Sequence, residues 1–550
     1  MKAEKLILGN IFTLDDIKPF AEAVTVENGR ITYVGSRETA EMLCDAGTEV
    51  LDYKEAWVYP GFMDAHVHPL LAGYRSLGQG SLLSIPVADK ELYRQEITKY
   101  IEKNPKKPFY LVAGWNEDKT TILTAEYLDE ICPDKPLLLN TSAGHSILLN
   151  HAAMKAFGIT REYAQSQGTD LVRVDENGEP TGYICEAPCV KLIESLPITH
   201  EEARDYILHW QQYALSKGFT GIGDAGVELP LPDTLNAYFE LDEEGKLALY
   251  TFADLLVADN LPDPAGKAKE IAAVRDAHPG KHFKIKGAKV FLDGIIEAHT
   301  GWLIDDYKDQ PGYHGNERFN NREKLTELIA ETGKRGLSVQ AHSIGDGATK
   351  FFLDCIEAGQ KESGNMDQRN RVAHLQYIRP EDIKRMADTN TVAVTAPLWA
   401  PCFPGAFDLE VSYSGKEKAE KAYPVRSFLN AGALTVFHTD YPVSPSFSGP
   451  QSIYAAEHRK LTKLEQEFLS SGEGQRGAEE TLTRKEALLS LTLNVAKAFH
   501  AEEDLGTISI GKIANFTVFD HDMLKDDAQE IAYANVLATV VDGNEVYHAE

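Results

Sequence analysis

Eight short apolar segments rich in β-branched residues recur along the middle of this chain, with helical patterns between them. A parallel strand that is buried on both faces has this appearance, and the connection to the next strand is usually a helix. The segments are Trp57–His66, Phe219–Asp224, Leu249–Leu256, Phe283–Asp293, Leu337–His342, Val372–Gln376, Val392–Ala396 and Leu434–Asp440. Eight strand–helix units in one array predict an α/β fold, the (β/α)8 TIM barrel.

The two ends of the chain carry short strand patterns that alternate with tight turns. The turn at Asn28-Gly29 and the turn at Asp542-Gly543 each join two such patterns into a hairpin. Neither end has enough strands for a core of its own. We therefore predict one β-sandwich domain built from residues 1–59 and 501–550, with a barrel domain at residues 60–500 between its two halves.

One connection within the barrel is far too long for a loop and a helix. It follows the first strand, runs from Pro69 to about Gly218, and contains helix and strand patterns of its own. Connections in compact α/β units need only a few residues besides the helix. We expect residues of about 75–200 to form an inserted subdomain over the barrel mouth.

The chain is acidic, because 55 Lys and Arg residues against 84 Asp and Glu residues give a net charge of −29. This charge repels phosphate backbones and anionic lipids, so we expect a small-molecule substrate and neither a nucleic-acid nor a membrane partner. No apolar run approaches the ~20 residues of a membrane helix, no signal peptide is recognised, and the six cysteines show no disulfide spacing. We expect a cytoplasmic protein, and base rates for oligomers favour a homodimer.

Polar side chains stand at the C-terminal ends of five predicted strands, where barrel enzymes form their active sites. They are His66 and His68 on the first strand, Lys289 on the fourth, His342 on the fifth, His374 on the sixth and Asp440 on the eighth. Alternate residues of a strand share a face, so the two imidazoles of His66-Val67-His68 project to the same side. Four imidazoles, a carboxylate and one bridging group suit a pair of divalent metal ions about 3.5–4 Å apart.

Ordinary explanations compete with this metal site. Histidines in strands are often half-buried and hydrogen-bonded, and some of the 17 histidines will end strands by chance. The complete set on five strands is much harder to obtain by chance, which favours the metal site. His438, two residues before Asp440, can share its face and is a minor candidate, because a hydrogen bond to the backbone or to a ligand would also explain it.

Further motifs span nearly the whole chain. They are Tyr59–His68, Gly114–Asp118, Ser142–His145 with Asn150, Gly178–Glu186, Lys289–Gly294, Gln340–Asp346, Ala373–Gln376, Thr439–Val443, Asn494 and Gly506–Asn515. Together they resemble the amidohydrolase superfamily of metal-dependent hydrolases and, within it, the YtcJ-like amidohydrolases, a branch that includes N-substituted formamide deformylases. The chain departs from this branch at Ile295–Thr300, where such proteins usually carry small residues that end in Arg-Thr. The substrate is therefore not carried over from the resemblance.

The resemblance implies a role for each residue of the set. His66 and His68 would hold the more buried of two metal ions, and His342 and His374 the more exposed one. Lys289 would bridge the ions as a carbamate formed with carbon dioxide, since a plain ammonium has no lone pair. Asp440 would ligate the buried ion, hydrogen-bond a bridging hydroxide and pass its proton to the departing amine. Zinc is the metal expected for a histidine-rich site, with manganese and iron as alternatives.

Three residues of the insertion are further candidates, each with an ordinary alternative. His145 is a candidate for polarising a substrate carbonyl, or it is a hydrogen-bonded loop residue. Trp115 is a candidate wall of an apolar substrate pocket, or it belongs to a core. Glu186 is a rival of Lys289 for the bridging position.

The resemblance, together with the predicted metal site, implies an enzyme that hydrolyses a C–N bond other than a peptide bond, in an amide, an N-substituted formamide or a cyclic amide. Deamination of an aminated heterocycle is an alternative, but it uses a glutamate near the fifth-strand histidine, and Ser343-Ile-Gly-Asp346 follows His342 here. Hydrolysis of an ester or a lactone requires the same metal site and is a further alternative. A non-catalytic regulatory protein on the same fold is the remaining alternative.

Overall fold

The computed structural model describes residues 2–83, 85, 89–115, 123–141, 146–227 and 231–550. They divide into two compact units. The first unit comprises the chain up to Leu70 together with Ile207–Glu550, and the second comprises Leu71–Tyr206. Among the described helices, none is both long and apolar enough to cross a lipid bilayer.

Eight parallel strands of the first unit form the barrel sheet, and each is hydrogen-bonded to the next in chain order. From first to eighth they are Phe62–Val67, Phe219–Val227, Tyr250–Leu256, Phe283–Phe291, Ser338–Ser343, Arg371–His374, Val392–Thr395 and Thr435–Phe437. Backbone hydrogen bonds just beyond the first and eighth strands nearly close the sheet. Asp440 N–H donates to the His66 carbonyl at 3.1 Å, and His68 N–H donates to the Tyr441 carbonyl at 2.9 Å. The prediction of an α/β barrel is confirmed.

Among the strand boundaries that differ from the predicted ones, two adjoin His66 and Asp440. The predicted strand Trp57–His66 is two strands, because the chain changes sheets at Gly61. The Gly61 N–H bonds to the Asn515 carbonyl at 2.9 Å, and a Cβ at this position would lie 2.1 Å from a threonine oxygen of the second strand. The eighth strand ends at Phe437, so Asp440 lies in the following loop, where its backbone is left-handed (φ +57°).

Helices lie between the barrel strands and after the last of them along the chain. The longer ones are His200–Ser216, Leu231–Glu243, Pro264–Ala277, Arg322–Gly333, Asp346–Ser363, Pro380–Asp388, Ala406–Ser414, Val425–Asn430, Gly449–His458, Lys463–Leu469, Arg484–Ser490 and Leu493–Ala498. In Asp346–Ser363 the buried residues Phe352, Ile356 and Gly359 recur at helical spacing. Gly364 ends this helix in the left-handed conformation (φ +75°). The apolar stripe therefore explains how this helix packs on its neighbours.

Strands from both ends of the chain pair in one seven-stranded sheet. In sheet order they are Asn544–His548, Val536–Val541, Phe516–Phe519, Glu49–Pro60, Lys5–Phe12, Phe20–Glu27 and Arg30–Gly35. Ile7 and Val24 from the N-terminal strands and Phe516 and Val540 from the C-terminal strands are fully buried in one core. Hydrogen bonding thus joins strands from both ends of the chain into a single sheet, and their buried side chains share one core.

The second unit has a six-stranded sheet of its own. In sheet order its strands are Val172–Val174, Pro180–Cys185, Ser146–Leu149, Leu137–Thr141, Tyr110–Trp115 and Gly80–Ser81. Its helices include Lys90–Lys103, Ala125–Ile131, His151–Ala156, Arg161–Gln167 and Glu186–Glu194. Residues of the central strands alternate between two apolar clusters, so both faces of this sheet are buried.

Candidate metal centre

His66 and His68 lie at the end of the first barrel strand, and Asp440 lies in the loop after the eighth. The Nε2 atoms of both imidazoles are 3.2 Å from Asp440 Oδ1. His66 and Asp440 are almost completely buried, with 1% and 5% of their surfaces exposed. The backbone hydrogen bonds that close the barrel sheet join the same two segments and hold the three side chains in this arrangement.

The buried carboxylate of Asp64 also ties these two segments together. It accepts hydrogen bonds from the backbone N–H groups of His66 and Thr439, both at 2.9 Å. Burial raises the pKa of Asp64 to about 7, although these hydrogen bonds favour its ionised form. Asp64 therefore fixes the backbone beside two predicted ligands, His66 and Asp440.

His342 and His374, on the fifth and sixth strands, extend the cluster. The ring centroid of His374 lies 4.9 Å from that of His66 and 4.5 Å from that of His342. A left-handed backbone at His374 (φ +82°) ends the sixth strand, and Trp399 stacks on its ring at 5.3 Å. His342 Nε2 donates to the Gly294 carbonyl at 3.1 Å, which leaves Nδ1 as the nitrogen with a lone pair.

Lys289, on the fourth strand, is fully buried in the barrel. In the barrel sheet Lys289 pairs in register with Gln340, two residues before His342 on the fifth strand. The charge of Lys289 contributes, after burial, to the lowered pKa values of His66 and His342. Gly226 makes room for the lysine, because a Cβ at this left-handed position (φ +123°) would lie 3.3 Å from Lys289 Cγ. The barrel thus holds the predicted bridging residue among the predicted ligands.

Burial favours the neutral form of three imidazoles of the cluster, those of His66, His342 and His374. It lowers the pKa of His66 and of His374 well below the ordinary value, and it lowers the pKa of His342 to about 3. A neutral imidazole carries a lone pair on one nitrogen, which is the atom that a metal ion binds. One atom each of His66, His374 and Asp440 lies within 4.8 Å of the other two. Neutral nitrogens and a carboxylate oxygen therefore converge at this end of the barrel.

The contacts of His66 test whether a cation fits between it and Asp440. His66 Nδ1 contacts the side-chain oxygen of Gln340, which only accepts, so Nδ1 carries the proton and Nε2 the lone pair. This lone pair faces Asp440 Oδ1 at 3.2 Å. Two acceptors at this distance repel each other unless a cation lies between them. Imidazole and carboxylate are ligands that zinc and related ions accept, so the residues fit a metal centre.

The sequence pattern of the amidohydrolase family matches residues 49–547. The chain belongs to the amidohydrolase family. The matched span includes all eight barrel strands and every candidate residue of the metal centre.

Two curated relatives of this amidohydrolase match over nearly their full length. YtcJ of Bacillus subtilis, a putative amidohydrolase, is 29% identical over 98% of this chain and 98% of its own. N-substituted formamide deformylase of Arthrobacter pascens is 28% identical over 99% of this chain and 98% of its own. The crystal structure of an uncharacterized metal-dependent hydrolase from Pyrococcus furiosus is 26% identical, with a TM-score of 0.74 over 95% of this chain and 100% of that chain. Membership of the family identifies the chain as a hydrolase of the amidohydrolase type.

His438 is more central than the sequence alone indicated. Its ring centroid lies 5.1 Å from that of His66 and 5.0 Å from that of His374. Both of its ring nitrogens are buried, and neither has a hydrogen-bond partner among the residues that the structure describes. An ordinary buried histidine would form a hydrogen bond through its ring, and the described residues provide none for His438. His438 therefore remains a candidate metal ligand.

Sequence reasoning missed three buried residues behind His66, namely Gln340, Asp254 and Arg371. Each is at most 1% exposed, and together with His66 they form a continuous hydrogen-bonded chain. Gln340 stands two residues before His342 on one strand, so the alternation of strand residues was an available signal. No local pattern marks Asp254 or Arg371.

Two of the three candidates of the insertion, Trp115 and Glu186, lie in described parts of the second unit. His145 lies outside the residues that the structure describes. Trp115 is buried in the core of that unit (4% exposed), with its ring edge-on to Tyr183 at 6.4 Å. Glu186 is exposed and begins the helix Glu186–Glu194. The substrate-binding roles of His145 and Trp115 and the bridging role of Glu186 stay predictions.

Proposed function

We propose that this amidohydrolase hydrolyses a C–N bond other than a peptide bond, in a small amide, an N-substituted formamide or a cyclic amide. The observation that carries the proposal is the position of Asp440 Oδ1, 3.2 Å from both His66 Nε2 and His68 Nε2. An ionised oxygen in this position can ligate a metal ion and also accept a proton from a neighbouring water. The full-length relatives, one of them a formamide deformylase by name, support the same bond type.

The proposed centre holds two divalent ions, with zinc preferred. His66, His68 and Asp440 would hold one ion, and His342 and His374 would hold the other. Lys289 would bridge them after its neutral amine adds to carbon dioxide and loses a proton, which gives a carbamate. A carbamate offers two oxygens and a negative charge, whereas the ions would repel a buried ammonium. Bound ions would lower the pKa of water toward ~7 and polarise the substrate carbonyl.

Asp440 moves one proton in the proposed reaction. Its carboxylate takes the proton of the water whose oxygen attacks the substrate carbon. When the C–N bond breaks, the same carboxyl donates this proton to the departing nitrogen. One water is consumed for each bond broken, and the products are a carboxyl group and an amine.

The segment after the fourth strand gives a reason not to transfer a relative's substrate to this chain. In Ile295–Thr300, which departs from the related branch, the Ile295 N–H donates to the Thr300 hydroxyl at 2.9 Å. The Gly294 N–H donates to the Thr300 carbonyl at 2.8 Å, and the Gly294 carbonyl accepts from His342. This turn therefore sets the surroundings of His342. Because this turn differs from the related branch, we propose only a class of substrate, the amides, and not the substrate of one relative.

Elemental analysis combined with a panel of N-formyl, N-acyl and cyclic amides tests the proposal. We expect about two divalent ions per chain, loss of turnover after dialysis against a chelator, and recovery with zinc or manganese. Asp440→Asn keeps one oxygen ligand but cannot move the proton, so turnover should fall about 100-fold or more while part of the metal remains. Full turnover in a preparation shown to be metal-free would contradict the proposal.

The products separate the proposal from its alternatives. An amine or an opened cyclic amide supports it. Ammonia released from an aminated heterocycle would indicate a deaminase, and turnover of esters or lactones alone would indicate an esterase. Metal binding without turnover of any of these compounds would favour a regulatory protein.

A further inference from the structure

We infer that three buried side chains behind His66 decide which of its nitrogens binds the metal ion. They are Gln340, Asp254 and Arg371, and they are positioning residues because they act through His66. The inference deepens the proposed function and rests on it for the metal ion itself. The tautomer of His66, however, is a property of the metal-free chain and is measurable without any ion.

The three side chains form one hydrogen-bonded chain across the barrel interior. Gln340 Oε1 contacts His66 Nδ1, and Gln340 Nε2 donates to Asp254 Oδ2 at 2.6 Å. Arg371 Nη2 donates to both oxygens of Asp254, at 2.6 and 2.8 Å. These residues stand on the third, fifth and sixth strands and reach His66 on the first, so the chain links four strands of the barrel.

Solvent has no access to these bonds. Asp254 and Gln340 are 0% exposed, and His66 and Arg371 are 1% exposed. Gly287 on the fourth strand leaves room for Asp254, because a Cβ at that position would lie 3.1 Å from Asp254 Oδ1. A polar group that loses its partner here cannot be satisfied by bulk water, so the directions of donors and acceptors are strongly constrained.

The direction of the Gln340 amide follows from the chemistry of Asp254. An amide presents an oxygen at one end and an NH2 group at the other, and the two ends have nearly the same shape. The two oxygens of Asp254 both accept from Arg371, as an ionised carboxylate does. The NH2 end of Gln340 must therefore face Asp254, and its oxygen must face His66.

The direction of the amide in turn sets the tautomer of His66. An oxygen that faces Nδ1 requires a proton there, which leaves the lone pair on Nε2, the atom 3.2 Å from Asp440 Oδ1. If the amide turned round, its NH2 group would face Nδ1, the proton would move to Nε2, and the metal ion would lose this ligand. Asp254 thus controls a metal ligand that it does not touch.

Asp254→Asn tests the inference because it removes the charge and keeps the shape. The new side chain can accept from Arg371 and donate to Gln340, so the Gln340 amide can turn round. We expect zinc affinity to fall about 10- to 100-fold. Adding Gln340→Glu should restore the affinity, because the introduced carboxylate accepts both from His66 and from the new amide.

Asp382→Asn is a matched control. Asp382 is also 0% exposed and accepts from two arginines, Arg379 at 2.6 Å and Arg385 at 2.8 Å, but it lies in the helix Pro380–Asp388. This change should lower the melting temperature and leave zinc affinity unchanged. Zinc affinity is measured by competition with a chelator, and the visible spectrum of the cobalt-loaded protein reports the loss of a ligand.

Nitrogen NMR of metal-free protein labelled at histidine measures the tautomer directly, with His66→Gln used to assign the signal. We expect Asp254→Asn to move the His66 proton from Nδ1 to Nε2, and the double variant to return it. A wild-type tautomer in Asp254→Asn, or a double variant no better than the single one, would overturn the inference. A wild-type protein that binds no divalent ion would contradict the proposed function instead, and the tautomer would still decide the inference.

Discussion

The carboxylate of Asp64 accepts a hydrogen bond from the backbone N–H of Thr439 at 2.9 Å, across the gap between the first and eighth barrel strands. Its other oxygen accepts from the His66 N–H at the same distance. One buried carboxylate therefore positions two backbone segments that carry predicted ligands. The spacing between His66 and Asp440 depends on it.

Asp64→Ala should weaken stability and zinc binding together. Two buried N–H groups would lose their acceptor, at a cost of about 1–3 kcal/mol each. Asp64→Asn keeps one acceptor oxygen and should lose less. Thermal unfolding of the metal-free protein and a zinc titration measure the two effects. Wild-type zinc affinity in Asp64→Ala would show that the closing hydrogen bonds of the sheet suffice.

Lys289→Ala should lose metal and activity together, because the carbamate would bridge both ions. Short carboxylic acids added to this variant should restore part of both, since they can occupy the vacated space. Lys286→Ala, on the same strand but nearer its start, is the matched control and should keep its metal. Wild-type metal content in Lys289→Ala would contradict the bridging role and favour Glu186.

His145→Ala should lower kcat/KM while the metal content stays near that of wild type. If His145 polarises the substrate carbonyl, its loss removes a hydrogen bond that strengthens in the transition state, at a cost of about 100-fold. Steady-state kinetics and elemental analysis of the same preparation measure the two quantities. Unchanged kinetics would identify His145 as an ordinary loop residue.

His282 joins the barrel to the terminal sheet. Its Nε2 lies 3.0 Å from Asp542 Oδ2, and Asp242 accepts from its backbone N–H at 3.0 Å. Burial alone would lower the pKa of His282, but the side chains of Asp242 and Asp542 outweigh it and raise the pKa. The protonated ring therefore stabilises the folded state.

The stability of the fold should accordingly depend on pH through His282. The folded-state pKa exceeds the unfolded value of about 6.5, so the contribution is full below that pH and is lost as the pH rises through the folded-state pKa. His282→Gln should reduce the free energy of unfolding more at about pH 6 than at about pH 9. Urea unfolding at both pH values measures this, and an equal loss at both would refute it.

The residues that sequence reasoning located are those marked by their position on a single strand. His66 and His68 follow from the alternation of strand residues, and His342 and His374 follow from their places at the ends of apolar runs. The conformation of Asp440 could not be predicted, because its left-handed backbone (φ +57°) depends on the loop contacts that close the sheet.

Pairing between distant strands could not be predicted from local patterns. Asp254 and Arg371 are 117 residues apart, and their contact depends on the register of the whole barrel. The change of sheet at Gly61 likewise depends on Asn515 and on a threonine of the second strand, both far away along the chain. Such contacts combine residues that carry no signal individually.

The terminal sheet also determines when the fold can be completed during synthesis. Tyr59, in the strand Glu49–Pro60, contacts Asp522, which follows it by 463 positions, and the strand itself pairs with Phe516–Phe519. The ribosome adds residues in order, so the strand Glu49–Pro60 waits for Phe516–Phe519 until all eight barrel strands between them have been made. An open strand edge of this kind pairs readily with other chains. Until Phe516–Phe519 emerges, the nascent chain therefore presents an edge of Glu49–Pro60 that other chains can pair with.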